Sequence, residues 1–369
     1  METRKVYDNL ILLTVLTCVI IGIIMVYSSS SVSAAKNFGT GTYFLKRQIC
    51  FAGIGFLLMF LAMRIRYQYL KHFVYYILIG SILLLILVLI PGVGTTIGGS
   101  TRWFRFGPIS FQPSEFTKLA LVIFLAYSLS NKTDKIKTFS IGFLPHVIAT
   151  IILVCLLLLQ PDFGSAMILV SLFTILIFAA GSNLKHLASF LAVSTVGCYF
   201  LISSASYRLA RFTAFLDPWS DRMNTGFQII QSFLAFGSGG LWGTGLGNGK
   251  QKLFYLPEPH TDFIFSIIGE ELGFIGVIAI IILFIILTYC GIKICAKAPD
   301  LFGTYLALGI TSFIVLHAVI NLGVVMGLLP TKGSTLPFIS YGGTSLVVNL
   351  TGIGILLNIS SQFSMNRTS

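Results

Sequence analysis

Apolar runs of about 20 residues recur along nearly the whole chain, and an α-helix of this length crosses a lipid bilayer. Only 10% of the residues are charged, whereas soluble domains carry roughly 25%. So few charges cannot cover the surface of a soluble globule of 369 residues. A bilayer accepts apolar surface and requires only that backbone polar groups are paired within helices or a closed barrel. We therefore predict an all-α integral membrane protein.

Ten apolar windows are separated by Pro, Gly and charged residues, and they predict a bundle of ten transmembrane helices. An even number of helices places both termini on the same side of the membrane. No internal repeat divides the chain, so we expect one transmembrane domain over residues 1–369, with a long loop, residues 206–263, between helices 7 and 8. The windows are residues 9–30, 43–63, 69–91, 111–129, 142–160, 164–181, 185–205, 264–290, 303–328 and 340–360.

The 24 Lys and Arg residues give a net charge of +12, but they are scattered over short loops. No basic domain with interleaved aromatic residues is available to hold a strand, so we predict no nucleic acid partner. If the termini face the cytoplasm, the short connections on that side carry dense positive charge, as the positive-inside rule requires, and the loop 206–263 is extracytoplasmic. The basic residues of that side are Arg4, Lys5, Arg64, Arg66, Lys71, Lys132, Lys135, Lys137, Lys185, Lys293, Lys297 and Arg367.

The loop 206–263 contains many aromatic residues and a second apolar stretch, residues 227–236, so we expect one or two short helices that lie against the bundle. Its glycine-rich part, residues 237–249, matches neither a Walker loop nor a dinucleotide fingerprint, because the spacing of its glycines differs from both. The backbone amides of this part could contact a phosphate or a sugar, or the part could be a flexible hinge. Both interpretations stay open.

Two opposite charges, Glu115 and Lys118, lie near the start of the fourth predicted helix. Residues three apart share one helical face, and each charge alone would be costly at membrane depth, so we predict that they form an ion pair. Pro113 suits the first turn of this helix. The pair either locks two helices together or belongs to an active cavity, and we favour the cavity.

Three further acidic residues lie at or inside the eighth predicted helix: Asp262 precedes it, and Glu270 and Glu271 lie inside it. Adjacent residues point about 100° apart on a helix, so Glu270 and Glu271 cannot share one role, and we expect them to pack or to line a cavity. Glu270 lies roughly 12 Å along the axis from Asp262, so these two are not a paired acid and base. Asp262 is either the N-cap of this helix or a catalytic carboxylate.

The predicted outer face carries basic residues that either contact phospholipid headgroups or bind a lipid pyrophosphate, since the Arg guanidinium matches phosphate geometry. His146 and His317 stand alone within predicted helices, where single histidines are more often hydrogen-bonded fillers than ligands, so we assign no metal to them. The six cysteines form no CxxC pair, and we expect no disulfide or metal cluster. The outer basic residues are Arg102, Arg105, Lys118, Arg208, Arg211, Lys250, Lys252 and Lys332.

A long segment from Asn321 to Ser345, NLGVVMGLLPTKGSTLPFISYGGTS, resembles the signature of the SEDS family of shape, elongation, division and sporulation proteins. Four further segments resemble this family and extend the likeness across nearly the whole chain. Within it, YLPEPHTDFIFSIIGEELG and TLPFISYGG look more like the division subfamily, FtsW, than the elongation subfamily, RodA. The other segments are MVYSSSS, TRWFRFGPISFQPSEFTK, QPDFGSA and GFQIIQSFLAFGSGG.

The resemblance implies a ten-span peptidoglycan glycosyltransferase that polymerises lipid II. It implies that Asp262, the aspartate of the HTDF segment, is the catalytic residue and takes the proton of the acceptor sugar hydroxyl. It also implies that Glu115 and Lys118 lie in or beneath the same cavity, and that Arg102 and Trp103 match functionally sensitive positions in the second outer loop. The predicted substrate-binding residues are Arg102, Trp103, Glu115, Lys118, Arg208, Arg211, Lys250, His260, Lys332 and Ser340.

The resemblance further implies partners and a location. The partners are lipid II, a monofunctional class B penicillin-binding protein that cross-links the new strands, and regulatory membrane proteins of the divisome. The location is the bacterial inner membrane at the division septum, with both termini in the cytoplasm and the active site outside. No cofactor is assigned, and a requirement for Mg²⁺ or Mn²⁺ stays open. The alternative functions are a lipid II flippase, an elongation polymerase of the RodA type, and a scaffold that only recruits partners.

Overall fold

The computed structural model describes residues 7–97, 99–107, 109–253 and 255–362, so Arg4, Lys5 and Arg367 of the charge pattern lie outside the described residues. The described residues form a helical bundle with a small sheet. The helices are α1 (Asn9–Phe38), α2 (Tyr43–Arg64), α3 (Leu70–Leu89), α4 (Pro113–Ser130), α5 (Leu144–Leu159), α6 (Phe163–Ala179), α7 (Leu184–Ser203), α8 (Ser206–Leu216), α9 (Phe227–Gly239), α10 (Ile264–Lys297), α11 (Leu301–Val325) and α12 (Gly343–Ser361). Single turns of 3₁₀ or π helix lie at Tyr67–Tyr69, Thr133–Lys135 and Phe139–Phe143.

Eight helical segments of the described chain are long and apolar enough to cross a membrane, which supports the predicted integral membrane protein. They are Asn9–Phe38, Tyr43–Arg64, Tyr67–Leu89, Phe139–Leu159, Leu184–Ser203, Ile264–Lys297, Leu301–Val325 and Gly343–Ser361. The two other predicted windows contain α4, which carries Glu115 and Lys118, and α6, which has only 17 residues. The helices lie close to the predicted windows, except that α1 and α10 continue beyond them to Phe38 and Lys297.

The ends of α1 follow from its sequence. The carboxylate of Asp8 accepts a hydrogen bond from the backbone N–H of Leu10 at 3.1 Å, as an N-cap residue does. After the last helical residue the chain turns at Gly39, whose φ of 73° is left-handed. The N–H of Gly39 donates to the carbonyl of Ala35, which closes the helix.

Helices α4, α11 and α12 form the centre of the bundle, and 89% of the apolar window of α12 is buried. α12 packs along α2, where glycine lets the two backbones approach closely: a side chain at Gly354 would overlap the backbone of Met59. α7 lies at the periphery, with 6% of its window buried. Polar side chains of the three central helices therefore need partners inside the protein.

α10 is interrupted at Gly273, whose φ of 66° and ψ of −164° are not helical. After the break, the N–H of Phe274 donates to the carbonyl of Gly240, in the segment that follows α9, at 2.9 Å. Gly243 crosses Gly273 so closely that a side chain on either residue would overlap the backbone of the other. The segment after α9 therefore supplies partners for backbone groups that the break removes from the helix.

A small antiparallel sheet connects α3 to α4. Its strands pair in the order β1-β2-β3, with Thr95 opposite Trp103. This sheet was not predicted from the sequence, and it adds to the helical bundle because strand pairing satisfies the backbone groups of the connection between two helices. β2 carries Arg102 and Trp103, so the sheet positions both residues near the start of α4. The strands are β1 (Thr95–Ile97), β2 (Ser100–Phe106) and β3 (Ile109–Phe111).

Different segments of the chain meet at the two ends of the bundle. At one end, the N–H of Asp8 donates to Oγ of Ser360 at 3.3 Å, so the start of α1 lies beside the end of α12. This agrees with the predicted even number of crossings. At the opposite end, the N–H of Gln112 before α4 donates to Oγ1 of Thr344 in the first turn of α12 at 3.0 Å. The Asp262 segment and the long connection 206–263, with the two short helices α8 and α9 that the sequence predicts, meet this second end.

Replacement of Gly273 by alanine should destabilise the protein, because its φ and ψ are essentially restricted to glycine and because a methyl group would overlap Gly243. The expected loss in the free energy of unfolding is of order 1–3 kcal/mol, measured by thermal or chemical unfolding of the purified protein in detergent. Gly80→Ala in α3 is the control, since a side chain there meets nothing within 4 Å. Equal stability of the two variants would contradict this account of the break.

Candidate active site

Asp262 lies two residues before the start of α10, and its side chain does not cap that helix. The N-cap position is Phe263, and no side-chain hydrogen bond caps α10, so the interpretation of Asp262 as an N-cap is wrong. Its backbone carbonyl accepts a hydrogen bond from Nδ2 of Asn321 at 2.8 Å, and the same nitrogen donates to the carbonyl of Ser334 at 2.6 Å. Asn321 of α11 thus ties the Asp262 segment to the loop between α11 and α12.

The loop between α11 and α12 runs directly beside the Asp262 carboxylate. A side chain at Gly333 would begin 2.9 Å from Oδ2 of Asp262. Gly333 is exposed and Asp262 is half-buried, so the lack of a side chain at 333 leaves space beside the carboxylate. Two residues earlier, the carbonyl of His260 accepts a hydrogen bond from the N–H of Tyr341 at 2.9 Å. The backbone around Asp262 is therefore held at two points.

Charged groups from other parts of the chain surround the Asp262 carboxylate. Burial and the Glu258 carboxylate raise the pKa of Asp262, while Arg211 of α8, Lys332 and Arg102 of β2 lower it, and the net result is a rise to about 7. Burial also lowers the pKa of Lys332 to about 7. Asp262 is therefore a carboxylate that can exchange a proton near neutral pH while cations lie around it.

Lys332 reaches from the loop between α11 and α12 to the start of α6. Its Nζ donates to the carbonyl of Gly164 at 2.7 Å, and its alkyl chain lies so close that a side chain at Gly164 would overlap it. Its charge also interacts with those of Glu115, Asp162 and Asp262. Lys332 therefore connects the Asp262 carboxylate electrostatically with the buried charges of α4.

Arg102 holds the turn between α5 and α6. Its Nε donates to the carbonyl of Gln160 at 3.3 Å, its Nη2 donates to the carbonyl of Pro161, and its Nη1 lies 3.8 Å from the Asp162 carboxylate. The guanidinium nevertheless acts on the charge of Asp262. Arg102 thus has a structural role and also contributes to the electrostatics of the site.

Glu115 and Lys118 form the predicted ion pair at 2.7 Å, and both side chains are buried at the start of α4. A third residue joins them, because Nε2 of His317 in α11 lies 2.9 Å from Nζ of Lys118 and 4.0 Å from Oε2 of Glu115. His317 is thus hydrogen-bonded, as expected from the sequence for a single histidine within a helix, but the identity of its partner was not predicted. The sequence gives no local signal for this contact, since 199 residues separate His317 from Lys118.

Glu270 and Glu271 anchor the glycine-rich part of the long connection. Glu270 accepts a hydrogen bond from the backbone N–H of Lys250 at 2.7 Å, and Glu271 accepts one from the N–H of Gly247 at 3.1 Å. These amides are already bonded within the protein, so they are not free to contact a phosphate. The prediction that the two acids cannot share one role is therefore wrong, because both carboxylates accept hydrogen bonds from the same segment. The interpretation of this segment as a flexible hinge is not supported, because both acids hold it in place.

Lys252 lies inside the protein and not at the lipid surface. It is 4% exposed, and its Nζ lies 2.6 Å from Oε1 of Glu271. Ser28 of α1 completes the contact, since its Oγ donates to the Glu271 carboxylate at 2.6 Å. The prediction that Lys252 meets a lipid anion is therefore wrong: its anionic partner is a residue of α10.

His260 and Ser340 pack into the walls of the site. The ring of His260 contacts Phe44, with ring centroids 4.2 Å apart, and burial lowers the pKa of its imidazole to about 4. Ser340 is buried, and its Oγ accepts a hydrogen bond from the N–H of Leu336 at 2.8 Å. The contacts of both residues are structural, whereas the sequence prediction assigned them to substrate binding.

Four predicted substrate-binding residues remain, and not all of them lie near Asp262. Arg211 is exposed on α8 and acts on Asp262, and Trp103 is half-buried beside Arg102 in β2. Arg208 instead donates to the carbonyl of Leu201 at 2.6 Å. The side chain of Lys250 is exposed on the segment that Glu270 anchors. Among these cations, only Arg211 joins the Asp262 cluster.

Metal-binding side chains do not cluster in the described part of the chain. No three His, Cys, Asp or Glu side chains among them come together in a metal-binding arrangement. The acidic groups of the cluster have cationic neighbours instead, Lys118 for Glu115 and Arg102 for Asp162.

Residues 8–365 match the family model described as cell cycle protein, which groups FtsW, RodA and SpoVE. The probable peptidoglycan glycosyltransferase FtsW of Geobacter metallireducens is 49% identical over 356 residues, which are 96% of this chain and 95% of the relative. Stage V sporulation protein E of Bacillus subtilis is 46% identical over 361 residues, 98% of this chain and 99% of the relative. Both likenesses extend over all the segments that form the Asp262 cluster.

Solved structures share the fold. A chain of a peptidoglycan synthase complex, solved to explain the coordination of polymerization and crosslinking, has a TM-score of 0.79 and 31% identity over 97% of this chain and 98% of that chain. The rod shape determining protein RodA of Thermus thermophilus has a TM-score of 0.71 and 29% identity over 97% of both chains. The helical bundle is therefore RodA-like.

Lys252→Met should destabilise the protein strongly, because it leaves the Glu271 carboxylate buried without its cation. Breaking a buried pair in this way reduces the free energy of unfolding by about 3–5 kcal/mol, which unfolding in detergent measures. The double variant Lys252→Met, Glu271→Gln should recover much of the loss, because no unpaired charge stays buried.

Lys71→Met is the matched control for the Lys252 variant. Lys71 pairs with Asp300 at 2.9 Å, but its side chain is 36% exposed, so solvent screens the pair and the expected loss is about 1 kcal/mol or less. Equal losses for the Lys252 and Lys71 variants would contradict the assignment of a buried anchoring pair.

Proposed function

The chain belongs to the cell cycle protein family of FtsW, RodA and SpoVE, and we propose that it is a peptidoglycan glycosyltransferase of the FtsW type. It polymerises lipid II into glycan strands during cell division. Its likeness to relatives named as FtsW supports the division role over the elongation role of RodA. Polymerisation joins the sugar of one lipid II molecule to a chain whose leaving group is a polyprenyl pyrophosphate.

The half-buried Asp262 carboxylate, with cations around it, is the observation that carries this proposal. Chain growth requires the 4-hydroxyl of the acceptor sugar to attack the anomeric carbon of the donor. The ionised carboxylate of Asp262 accepts the hydroxyl proton as the new bond forms. A raised pKa makes it a stronger base than an exposed aspartate, and it is still ionised in a large fraction of molecules at neutral pH.

The cations of the cluster act on the leaving group. As the anomeric bond breaks, negative charge grows on the pyrophosphate, and Arg102, Arg211 and Lys332 stabilise it. Because pyrophosphate is already a good leaving group, a second carboxylate that donates a proton is not needed, unlike in most glycosidases. Glu115 and Lys118 act on this site through their electrostatic interaction with Lys332.

We assign ten transmembrane helices to the chain, with α4 and α6 added to the eight long apolar segments. α4 can lie inside the membrane despite its charges, because Glu115 and Lys118 neutralise each other. Both termini then lie in the cytoplasm, and the Asp262 end of this single domain lies outside. The site is in the bacterial inner membrane at the division septum, where lipid II is consumed.

The polymerase works with a cross-linking partner. The chain resembles a component of a peptidoglycan synthase complex, which supports a partnership with a class B penicillin-binding protein. Divisome membrane proteins regulate the pair, and the partner cross-links the strands that this chain makes. A scaffold without activity would need no accessible carboxylate among cations.

The interruption of α10 at Gly273 favours one second candidate, a lipid II flippase, because transporters often carry broken helices. Two observations weaken it. The freed N–H of Phe274 is already bonded to Gly240, and no second break of this kind lies within the other described α-helices. A detergent micelle does not have two membrane faces, so a flippase has no activity there. Polymer formation by the purified protein in detergent would therefore require an enzyme.

Asp262→Asn should reduce the polymerisation of lipid II by the purified protein by at least about a hundredfold, because the amide cannot accept the hydroxyl proton. The measurement is the amount of glycan strand formed with time, together with the unfolding temperature, which should stay near that of the wild type.

Glu258→Gln is the matched control for Asp262→Asn. It removes a carboxylate from the same segment, but the Glu258 side chain is 65% exposed. This variant should keep most of the activity. A fully active Asp262→Asn protein would refute the role of Asp262.

The rate of polymerisation should depend on pH around neutrality. Asp262 acts as a base only when ionised, and its pKa is about 7, so kcat/KM should rise as the pH increases through this value. At higher pH, Lys332 loses its proton, since its pKa is also about 7, and the loss of this cation should lower the rate. The profile should therefore be a narrow bell, measured between about pH 5 and 9.

Glu258→Gln also tests the origin of the acidic limb of this profile. Because Glu258 raises the pKa of Asp262, the variant should move the limb to lower pH. A limb that stays in place in this variant, or a wild-type rate that does not change with pH, would contradict the assignment.

A further inference from the structure

His317 is a buried titratable residue that the proposed reaction does not use. Its side chain is 3% exposed, and its ring packs edge-on against Phe313 with centroids 4.9 Å apart. Nδ1 lies 3.0 Å from the carbonyl oxygen of Phe313, and Nε2 lies 2.9 Å from Nζ of Lys118. Both ring nitrogens therefore have a hydrogen-bond partner.

These two partners determine which nitrogen of His317 carries the proton. A carbonyl oxygen can only accept, so Nδ1 must carry the proton and donate it to Phe313. The ammonium of Lys118, which is paired with Glu115 at 2.7 Å, can only donate, so Nε2 must offer its lone pair. His317 is thus neutral. The other tautomer and the imidazolium would both place an N–H against the ammonium.

We propose that His317 is a positioning residue of the polymerisation site, which holds the Lys118 ammonium in place because Nε2 accepts a hydrogen bond from it. The inference rests on the proposed glycosyltransferase function and deepens it. Oε1 of Glu115 accepts a second hydrogen bond from the ammonium, while Oε2 of Glu115 is buried and has no hydrogen-bond partner among the described residues. Without His317, the ammonium turns toward that free oxygen and leaves its present position.

The position of Lys118 matters because its charge reaches the reacting region through Lys332. Lys118 interacts electrostatically with Lys332 and with Asp162, and Lys332 interacts with Asp262. A shifted ammonium changes the charge environment of Lys332, which the proposed reaction uses for the pyrophosphate. His317 therefore acts on the reaction through Lys118, and it does not touch the substrate itself.

Three replacements of His317 separate this role from simple packing. Glutamine keeps an acceptor near the position of Nε2, leucine keeps only bulk, and asparagine keeps a donor for Phe313 but does not reach Lys118. His317→Leu and His317→Asn should each lower the rate of lipid II polymerisation roughly tenfold, as expected for losing a hydrogen bond to a charged group. His317→Gln should keep most of the rate.

The comparison is made on protein whose unfolding temperature matches that of the wild type. If leucine prevents folding, asparagine takes its place, since both lack the acceptor for Lys118. Wild-type rates in His317→Leu or His317→Asn would overturn the proposal. A folded His317→Gln protein as slow as the other two would also overturn it.

A spectroscopic measurement tests the inference separately from activity. ¹⁵N spectra of wild-type protein labelled at histidine, with the His317→Gln variant to identify the signal, should show a protonated Nδ1 and an unprotonated Nε2. A protonated Nε2 would overturn the proposal even if the protein polymerises lipid II. If the wild type does not polymerise it, the proposed function fails, and the spectrum still decides the state of His317.

Discussion

A charge buried in a membrane protein must find a partner within the protein, and this requirement organises the bundle. Glu115 pairs with Lys118 at the start of α4, and Glu271 of α10 pairs with Lys252 of the long connection. The first pair interacts electrostatically with Lys332, which also acts on Asp262, and the second fixes the connection that leads to Asp262. Because breaking such a pair is costly, both segments are held in one arrangement.

This anchoring gives Asp262 a fixed place without giving its carboxylate a fixed partner. The backbone of the segment is held through Asn321 and through the bond between Tyr341 and His260. Among the described residues, no side chain is hydrogen-bonded to the carboxylate itself, and glycine at 333 leaves space beside it. A base needs both properties, because it must be positioned by the protein and yet free to take a proton from the substrate.

Sequence reasoning succeeded where the determining contacts are local. Windows of apolar residues predict the helices, and the spacing of Glu115 and Lys118 on one face predicts their ion pair. It failed where partners are distant along the chain: nothing near His317 indicates its contact with Lys118, and nothing near Lys252 indicates Glu271. The proposed role of Asp262 was predicted from the family resemblance and not from the residue alone, because an aspartate before a helix is most often an N-cap.

The central claim is that the Asp262 carboxylate meets the acceptor hydroxyl while the cations meet the pyrophosphate. A structure of the wild-type protein with unreactive lipid II analogues in the donor and acceptor positions tests it most directly. The account predicts the acceptor 4-hydroxyl within about 3 Å of the carboxylate, with the donor pyrophosphate beside Lys332 and Arg211. An acceptor bound away from Asp262, or a carboxylate turned into the lipid, would contradict it.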